Sequence, residues 1–174
     1  SCGRSDFSIY FPLLREVSES KIFNTRIVLF GSHLSKFFGN TREHILDEGF
    51  EIYEEIDAIL SSDSEESIAS SMGITTMKFA NFFKKNQNDL IIVLGDRYEM
   101  FAAASASVAF KTLDLIHLHG GETSLGSIDN IFRDCITRIS KLHFVSTESH
   151  KQKVTNILGD DTNVYNFGAP ALEG

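Results

Sequence analysis

Residues 117–129 read His-Leu-His-Gly-Gly-Glu-Thr-Ser-Leu-Gly-Ser-Ile-Asp, the densest concentration in the chain of groups able to move a proton. His117 and His119 supply imidazoles that titrate near neutral pH, and Glu122 and Asp129 add two carboxylates, the usual partners in general acid–base chemistry. Gly120 and Gly121 lack a Cβ, so the backbone there can approach a ligand closely. A second charged point lies upstream, where the apolar run Leu90–Leu94 stops at Gly95 and Asp96 and Arg97 precede an alanine-rich stretch. Each feature also has a purely structural reading. The glycines can form a tight turn, His117 can be a satisfied core residue, and Ser127 or Asp129 can cap a helix. Asp96 can cap the next helix, with Glu99 completing a capping box and Arg97 as a surface partner. Zinc is the weaker reading of His117 and His119, because alternate strand positions suit chelation but no cysteine or third close ligand accompanies them.

These residues need a scaffold that brings strand ends together. Short apolar runs predict strands at 26–30, 50–55, 90–95, 114–119, 141–146 and 163–168, and amphipathic or alanine-rich segments predict helices at 8–20, 41–48, 64–86, 97–110, 128–140 and 148–158. This alternation specifies an α/β fold, a parallel sheet with helices on both faces. Ligands of such sheets bind beyond the carboxyl ends of the strands, which is where Asp96 and the 117–129 loop fall. Asp63 with Glu66 has the same capping-box spacing as Asp96 with Glu99. The opening "SCGRSDFSIYFPLLREV" reads as the loop and helix that follow a first strand, with the strand itself missing. Strands 26–30 and 90–95 are then expected to flank that strand's place without pairing with each other.

Composition narrows the function classes. At 174 residues and 42% hydrophobic, the chain can build one globular domain with a sizeable core. A net charge of -8 argues against a nucleic-acid or anionic-membrane surface, since phosphate binding needs clustered Lys and Arg. Cys2 and Cys135 are too few and too distant for a disulfide framework, so both are read as reduced and the setting as cytoplasmic. No apolar stretch reaches the length of a membrane span, and the N-terminus lacks the pattern of a signal peptide.

Five separated stretches, "CGRSDFSIYFPLLREV", "FGSHLSKFFGNT", "GDRYEMFAAA", "HLHGGETSLGSIDNIFRDCITRISKLHFVST" and "FGAPALE", together resemble the N-terminal domain of the hydrolysing UDP-N-acetylglucosamine 2-epimerases of the sialic- and legionaminic-acid type. The resemblance implies a Rossmann-like domain over 1–168, the N-terminal half of a glycosyltransferase-B-like two-domain fold, with 169–174 beginning the connection to a second domain outside this chain. It also implies a cofactor-free enzyme with a UDP-sugar substrate, expected as a homodimer or higher homo-oligomer. Such an enzyme eliminates UDP across C1 and C2 of the sugar and then hydrates the resulting glycal, releasing N-acetylmannosamine or a diacetamido analogue. Asp96 and Asp129 match catalytic carboxylates. Arg4, His33, Arg97, His117, Gly120 and Gly121 fall at positions expected to line the nucleotide or sugar. Some relatives read His-x-Glu-Gly-Gly-Glu, so His119 stands where a carboxylate is found, and Glu122 is favoured to supply that carboxylate with His119 close by. A glycosyltransferase, or a non-catalytic sugar-nucleotide-binding domain, remains the alternative.

Overall fold

The structure, a computed structural model, describes residues 1–35, 41–60, 62–87, 89–125 and 127–170. Part of the "FGSHLSKFFGNT" stretch (36–40) and of the expected connection (171–174) therefore lies outside the described residues. The chain divides into two compact units, one built from Ser1–Ile59 and the other from Leu60–Ala169.

In the first unit, α1 (Arg4–Glu19) precedes β1 (Ile27–Phe30), a short 3-10 helix (Gly31–Leu34), α2 (Thr41–Asp47) and β2 (Ile52–Ile56). The sequence places the start of α1 at residue 8. It begins four residues earlier because the Asp6 carboxylate, in the first helical turn, accepts from the Cys2 N–H at 3.2 Å and from the Cys2 thiol at 3.0 Å. That contact satisfies a donor at the helix entrance, where negative charge is favoured. Phe7, Ile27, Leu29 and Ile45 form the core, and Phe7 meets the rings of Phe11, His44 and Phe50 edge-on at 5.7–6.0 Å. β1 and β2 pair in parallel. On β1 the Ser1 ammonium donates to the Val28 carbonyl at 2.9 Å and the Ser1 carbonyl accepts from Phe30 N at 3.2 Å, the bonding of a parallel bridge opposite Leu29.

The second unit is a run of βαβ crossovers. β3 (Leu90–Leu94), β4 (Asp114–Leu118), β5 (Leu142–Val145) and β6 (Val164–Asn166) form one parallel sheet in that order. The helices α3 (Glu65–Lys85), α4 (Tyr98–Ser107), α5 (Asp129–Ile139) and α6 (Glu148–Leu158) precede, link and follow them. Parallel neighbours need such crossovers, because a tight turn cannot reverse the chain twice. The architecture is thus the expected one, parallel sheets with helices on both sides, and β1 and β3 sit in different sheets without pairing.

Helix starts differ from the capping expectations. At α3 the cap is Ser64, whose side chain accepts from Ser67 N, one residue beyond Asp63. At α4 the N-cap residue is Arg97, and no side chain caps it. Asp96 is therefore not a cap, for its carboxylate is engaged elsewhere. At α5 Ile128 holds the N-cap position without a side-chain bond, Asp129 is the first helical residue, and the Ser127 hydroxyl accepts from the Asp129 N–H at 3.1 Å, so Ser127 satisfies a donor of the first turn and Asp129 does not cap.

Candidate active site

The carboxyl ends of β3, β4 and β5 carry the candidate side chains of the second unit. After β3, Asp96 accepts a hydrogen bond from Arg133 on α5, whose side chain is 6% exposed against 19% for Asp96. Burial raises the Asp96 pKa, and the charges of Asp129 and Glu122 push it in the same direction against the opposing guanidinium. The three carboxylates named from sequence therefore share one electrostatic neighbourhood. Arg97 turns to Glu99, Nη2 to Oε1 at 2.8 Å, and Glu99 is buried at 1% exposure. Opposite charges meet at this strand end because each serves a different helix: Asp96 ties the loop to α5, and Arg97 neutralises an acid in the first turn of α4.

His117 lies within β4, fully buried. Its Nε2 is 2.9 Å from the Gly95 carbonyl, which can only accept, so that nitrogen carries the proton and Nδ1 accepts from the Thr137 hydroxyl at 3.1 Å. Burial lowers its pKa to about 3, fixing the neutral form. Both nitrogens are used, so the core reading holds. What His117 does is fasten the loop that carries Asp96 to β4.

His119 behaves differently. It has φ 63°, left-handed backbone uncommon outside glycine, so it leaves the pleat that His117 belongs to. Its Nδ1 donates to Glu122 Oε1 at 2.7 Å, while Nε2 is buried with no hydrogen-bond partner among the described residues. An unpaired buried polar atom costs about 1–3 kcal/mol, a cost His117 does not carry. Glu122 Oε1 also accepts from the Ser146 hydroxyl at 2.9 Å. The hydrogen bond from His119 is the chief reason its pKa falls to about 2, so Glu122 is ionised at neutral pH and a poor proton acceptor. His119 Nδ1–H held on a carboxylate leaves Nε2 as the basic atom, the arrangement in which a carboxylate orients an imidazole for proton transfer.

The two glycines pack closely against neighbouring segments. Both are buried. A Cβ on Gly121, which has φ +80°, would overlap the His150 carbonyl of α6, and one on Gly120 would sit 3.2 Å from His117 Nδ1 and 3.3 Å from Thr137 Oγ1. Asp129 receives a hydrogen bond from the Ser127 hydroxyl at 2.6 Å, and Asn130 closes the loop by accepting from Ser124 N at 3.0 Å and donating to the Ser124 carbonyl at 2.6 Å.

Arg4 and His33 belong to the first unit. Arg4 is exposed at the first residue of α1. His33 is buried at 3%, with Nδ1 2.9 Å from Thr41 Oγ1 and Nε2 2.9 Å from Ser1 Oγ, so its ring nitrogens are held within the unit. Sequence reasoning passed over Arg133, Ser146, His150 and Lys153. Only Arg133 left a signal, standing four residues after Asp129 and hence on the same face of α5.

Comparison with known proteins places this chain in a family. The family model described as UDP-N-acetylglucosamine 2-epimerase matches residues 15–174. The chain is 34% identical over 98% of its length to polysialic acid biosynthesis protein P7 of Escherichia coli, covering 44% of that protein. It is also 34% identical to the GDP/UDP-N,N'-diacetylbacillosamine 2-epimerase (hydrolyzing) of Campylobacter jejuni, again over 98% of this chain and 44% of the relative. The chain thus spans less than half the length of these curated relatives. Among solved structures, a UDP-N-acetylglucosamine 2-epimerase superposes with a TM-score of 0.85 over 98% of this chain and 45% of its own, at 16% identity. The Neisseria meningitidis enzyme bound to UDP-GlcNAc gives 0.82 over 97% and 45%, also at 16% identity. Those structural likenesses speak for the fold, while the sequence match over nearly the whole chain decides the family: the protein belongs to the UDP-N-acetylglucosamine 2-epimerase family.

Proposed function

We propose that this chain supplies the acid–base groups of a hydrolysing UDP-sugar 2-epimerase acting on a 2-acetamido sugar. The observation that carries the reading is the His119–Glu122 pair, with one imidazole nitrogen held on an ionised carboxylate and the other unspent. In the first step a base removes the C2 proton while the C1–oxygen bond breaks, so the electron pair of the C–H bond becomes the C1–C2 double bond and UDP departs. In the second step water adds its oxygen to C1 and a proton returns to C2 on the opposite face, giving UDP and the free 2-epimer. Two faces require two proton-handling groups. His119 Nε2 suits one of them, and Asp96, its pKa raised by burial and by the two neighbouring carboxylates, or Asp129 suits the other. Glu122 keeps His119 in the useful tautomer. Arg4, exposed where the amides of α1 begin, is the candidate for a phosphate contact in the first unit.

A non-catalytic binding domain has no need for two carboxylates, Asp129 and Glu122, placed so that they raise the pKa of a third, Asp96. The relatives' names favour a hydrolysing epimerase over a glycosyltransferase, and they extend the substrate choice to diacetamido sugars. Residues 1–174 correspond to under half of those proteins, so this stretch alone is expected to bind UDP weakly at most and to release no sugar. The test is to incubate the protein from its complete reading frame with UDP-N-acetylglucosamine and with its diacetamido analogue, and to identify products by NMR. Free sugar of inverted C2 configuration together with UDP is expected. Transfer of the sugar to an acceptor, or binding without turnover, overturns the proposal.

A further inference from the structure

α6 makes three contacts with the loop that presents Glu122. The His150 carbonyl packs against Gly121, with no room for a Cβ between them. Lys153 Nζ donates to the Glu122 carbonyl at 3.2 Å and to Thr123 Oγ1 at 2.9 Å. His150 Nδ1 lies 2.9 Å from Ser146 Oγ, which lies 2.9 Å from Glu122 Oε1. The first two contacts position the loop through its backbone, whereas the third reaches the carboxylate itself.

The direction of that third contact follows from counting protons. The Ser146 hydroxyl has one hydrogen. If His150 carries its proton on Nδ1, that N–H donates to Ser146, and the hydroxyl hydrogen is left for Glu122. If Nδ1 is bare, Ser146 donates to His150 instead, and Glu122 keeps His119 as its one side-chain donor. The titratable and charged groups around Glu122 are His119 at the end of β4, His150 and Lys153 on α6, and Asp96 after β3.

We propose that Ser146 and His150 are positioning residues for the proposed proton-transfer pair: the chain His150 Nδ1–H to Ser146 Oγ–H to Glu122 Oε1 holds the carboxylate where it fixes His119 with its proton on Nδ1 and its Nε2 bare. This rests on the reading of His119 as an acid–base group, yet it makes a claim about ring protonation that needs no turnover to check.

The experiment uses Ser146→Ala, Ser146→Thr, His150→Leu and His150→Asn in the protein from its complete reading frame. Thr restores the hydroxyl, and the Asn amide nitrogen stands where Nδ1 stood. Nitrogen-15 NMR of the His119 ring gives its tautomer directly. The wild type is expected to show the Nδ1–H form, Ser146→Ala and His150→Leu a mixture of tautomers, and the Thr and Asn variants recovery of the Nδ1–H form. Turnover should follow, with kcat lowered about 10- to 100-fold in the Ala and Leu variants, the effect of one hydrogen bond to a charged group, KM nearly constant, and the pH profile displaced. A purely structural role would lower stability but leave the His119 tautomer and the pH profile unmoved, and that result overturns the inference. If no variant and no wild type turns over a UDP-sugar, the proposed function fails, while the nitrogen-15 result still decides the inference.

Discussion

The loop after β1 and the loop after β4 are built alike and end differently. Each starts with a strand, sets a positive-φ glycine against the backbone carbonyl of another segment, and carries a histidine. Gly31 (φ +65°) faces the Cys2 carbonyl, with a Cβ there falling 2.6 Å from it, and Gly121 faces that of His150. In the first loop, His33 has each ring nitrogen 2.9 Å from a hydroxyl, those of Ser1 and Thr41. In the second, His119 places one nitrogen on a carboxylate and leaves the other without a partner among the described residues. The shared parts are architecture, and the difference is chemistry: a histidine with both nitrogens satisfied holds a loop, whereas one with a spare nitrogen can act on something else.

Replacing each of the two histidines should separate these roles most sharply. His119→Gln is expected to lower turnover by roughly 100- to 10,000-fold, the range for losing a general acid or base, while the urea midpoint hardly moves. His33→Gln should do the reverse, losing about 1–3 kcal/mol of stability with its buried hydrogen bonds. Equal loss of stability in both variants, with equal turnover, would erase the contrast.

Next in size is Gly121→Ala. A non-glycine residue in a disfavoured backbone region costs on the order of 1–3 kcal/mol, and overlap with the His150 carbonyl adds to it. Urea unfolding should show the loss. Because the strain pushes α6 away from the loop, turnover of the remaining folded protein should fall as well. Gly31→Ala should cost similar stability, and an unaltered midpoint in either variant would mean the close approach is not required.

The acid response should come in two windows. Burial lowers the folded His117 pKa from 6.5 to about 3, so the unfolded chain binds the proton more readily. The stability this gives is complete above pH 6.5 and is lost as the pH falls from 6.5 toward 3, by at most about 1.4 kcal/mol per pH unit. His143, also lowered by burial, adds in the same direction. Glu122, held at about 2 instead of 4.5, contributes stability present above pH 4.5 and lost only between 4.5 and 2. Unfolding free energy measured against pH should therefore begin to fall near 6.5, and His117→Gln should flatten part of that slope. A wild-type curve level from pH 6.5 to 5 would contradict the buried neutral imidazole.

The sheet was legible because parallel strands are written as apolar runs; β3 reads Leu-Ile-Ile-Val-Leu, with Val93 and Leu94 buried and Leu90 and Ile92 exposed. The caps were less so: Asp63 and Ser64 both fit a cap, and only the fold selects Ser64. Asp96 has cap spacing, but a guanidinium 37 residues away claims it. His117 and His119 look equivalent at alternate strand positions, yet the left-handed turn at His119 removes it from the pleat. Ser146 and His150 carry no motif, since their meaning comes from α6 folding back over the Glu122 loop.

If the side chains of this unit exchange protons at C2 of the sugar, hydrogen from solvent must appear at that carbon. Running the full-length protein on UDP-N-acetylglucosamine in D2O and recording the released sugar by proton NMR tests it directly. One solvent deuterium is expected at C2 of the inverted product, with release nearly abolished in folded Asp129→Asn and His119→Gln variants. Product that keeps its original C2 hydrogen, or unimpaired release by both variants, would contradict it.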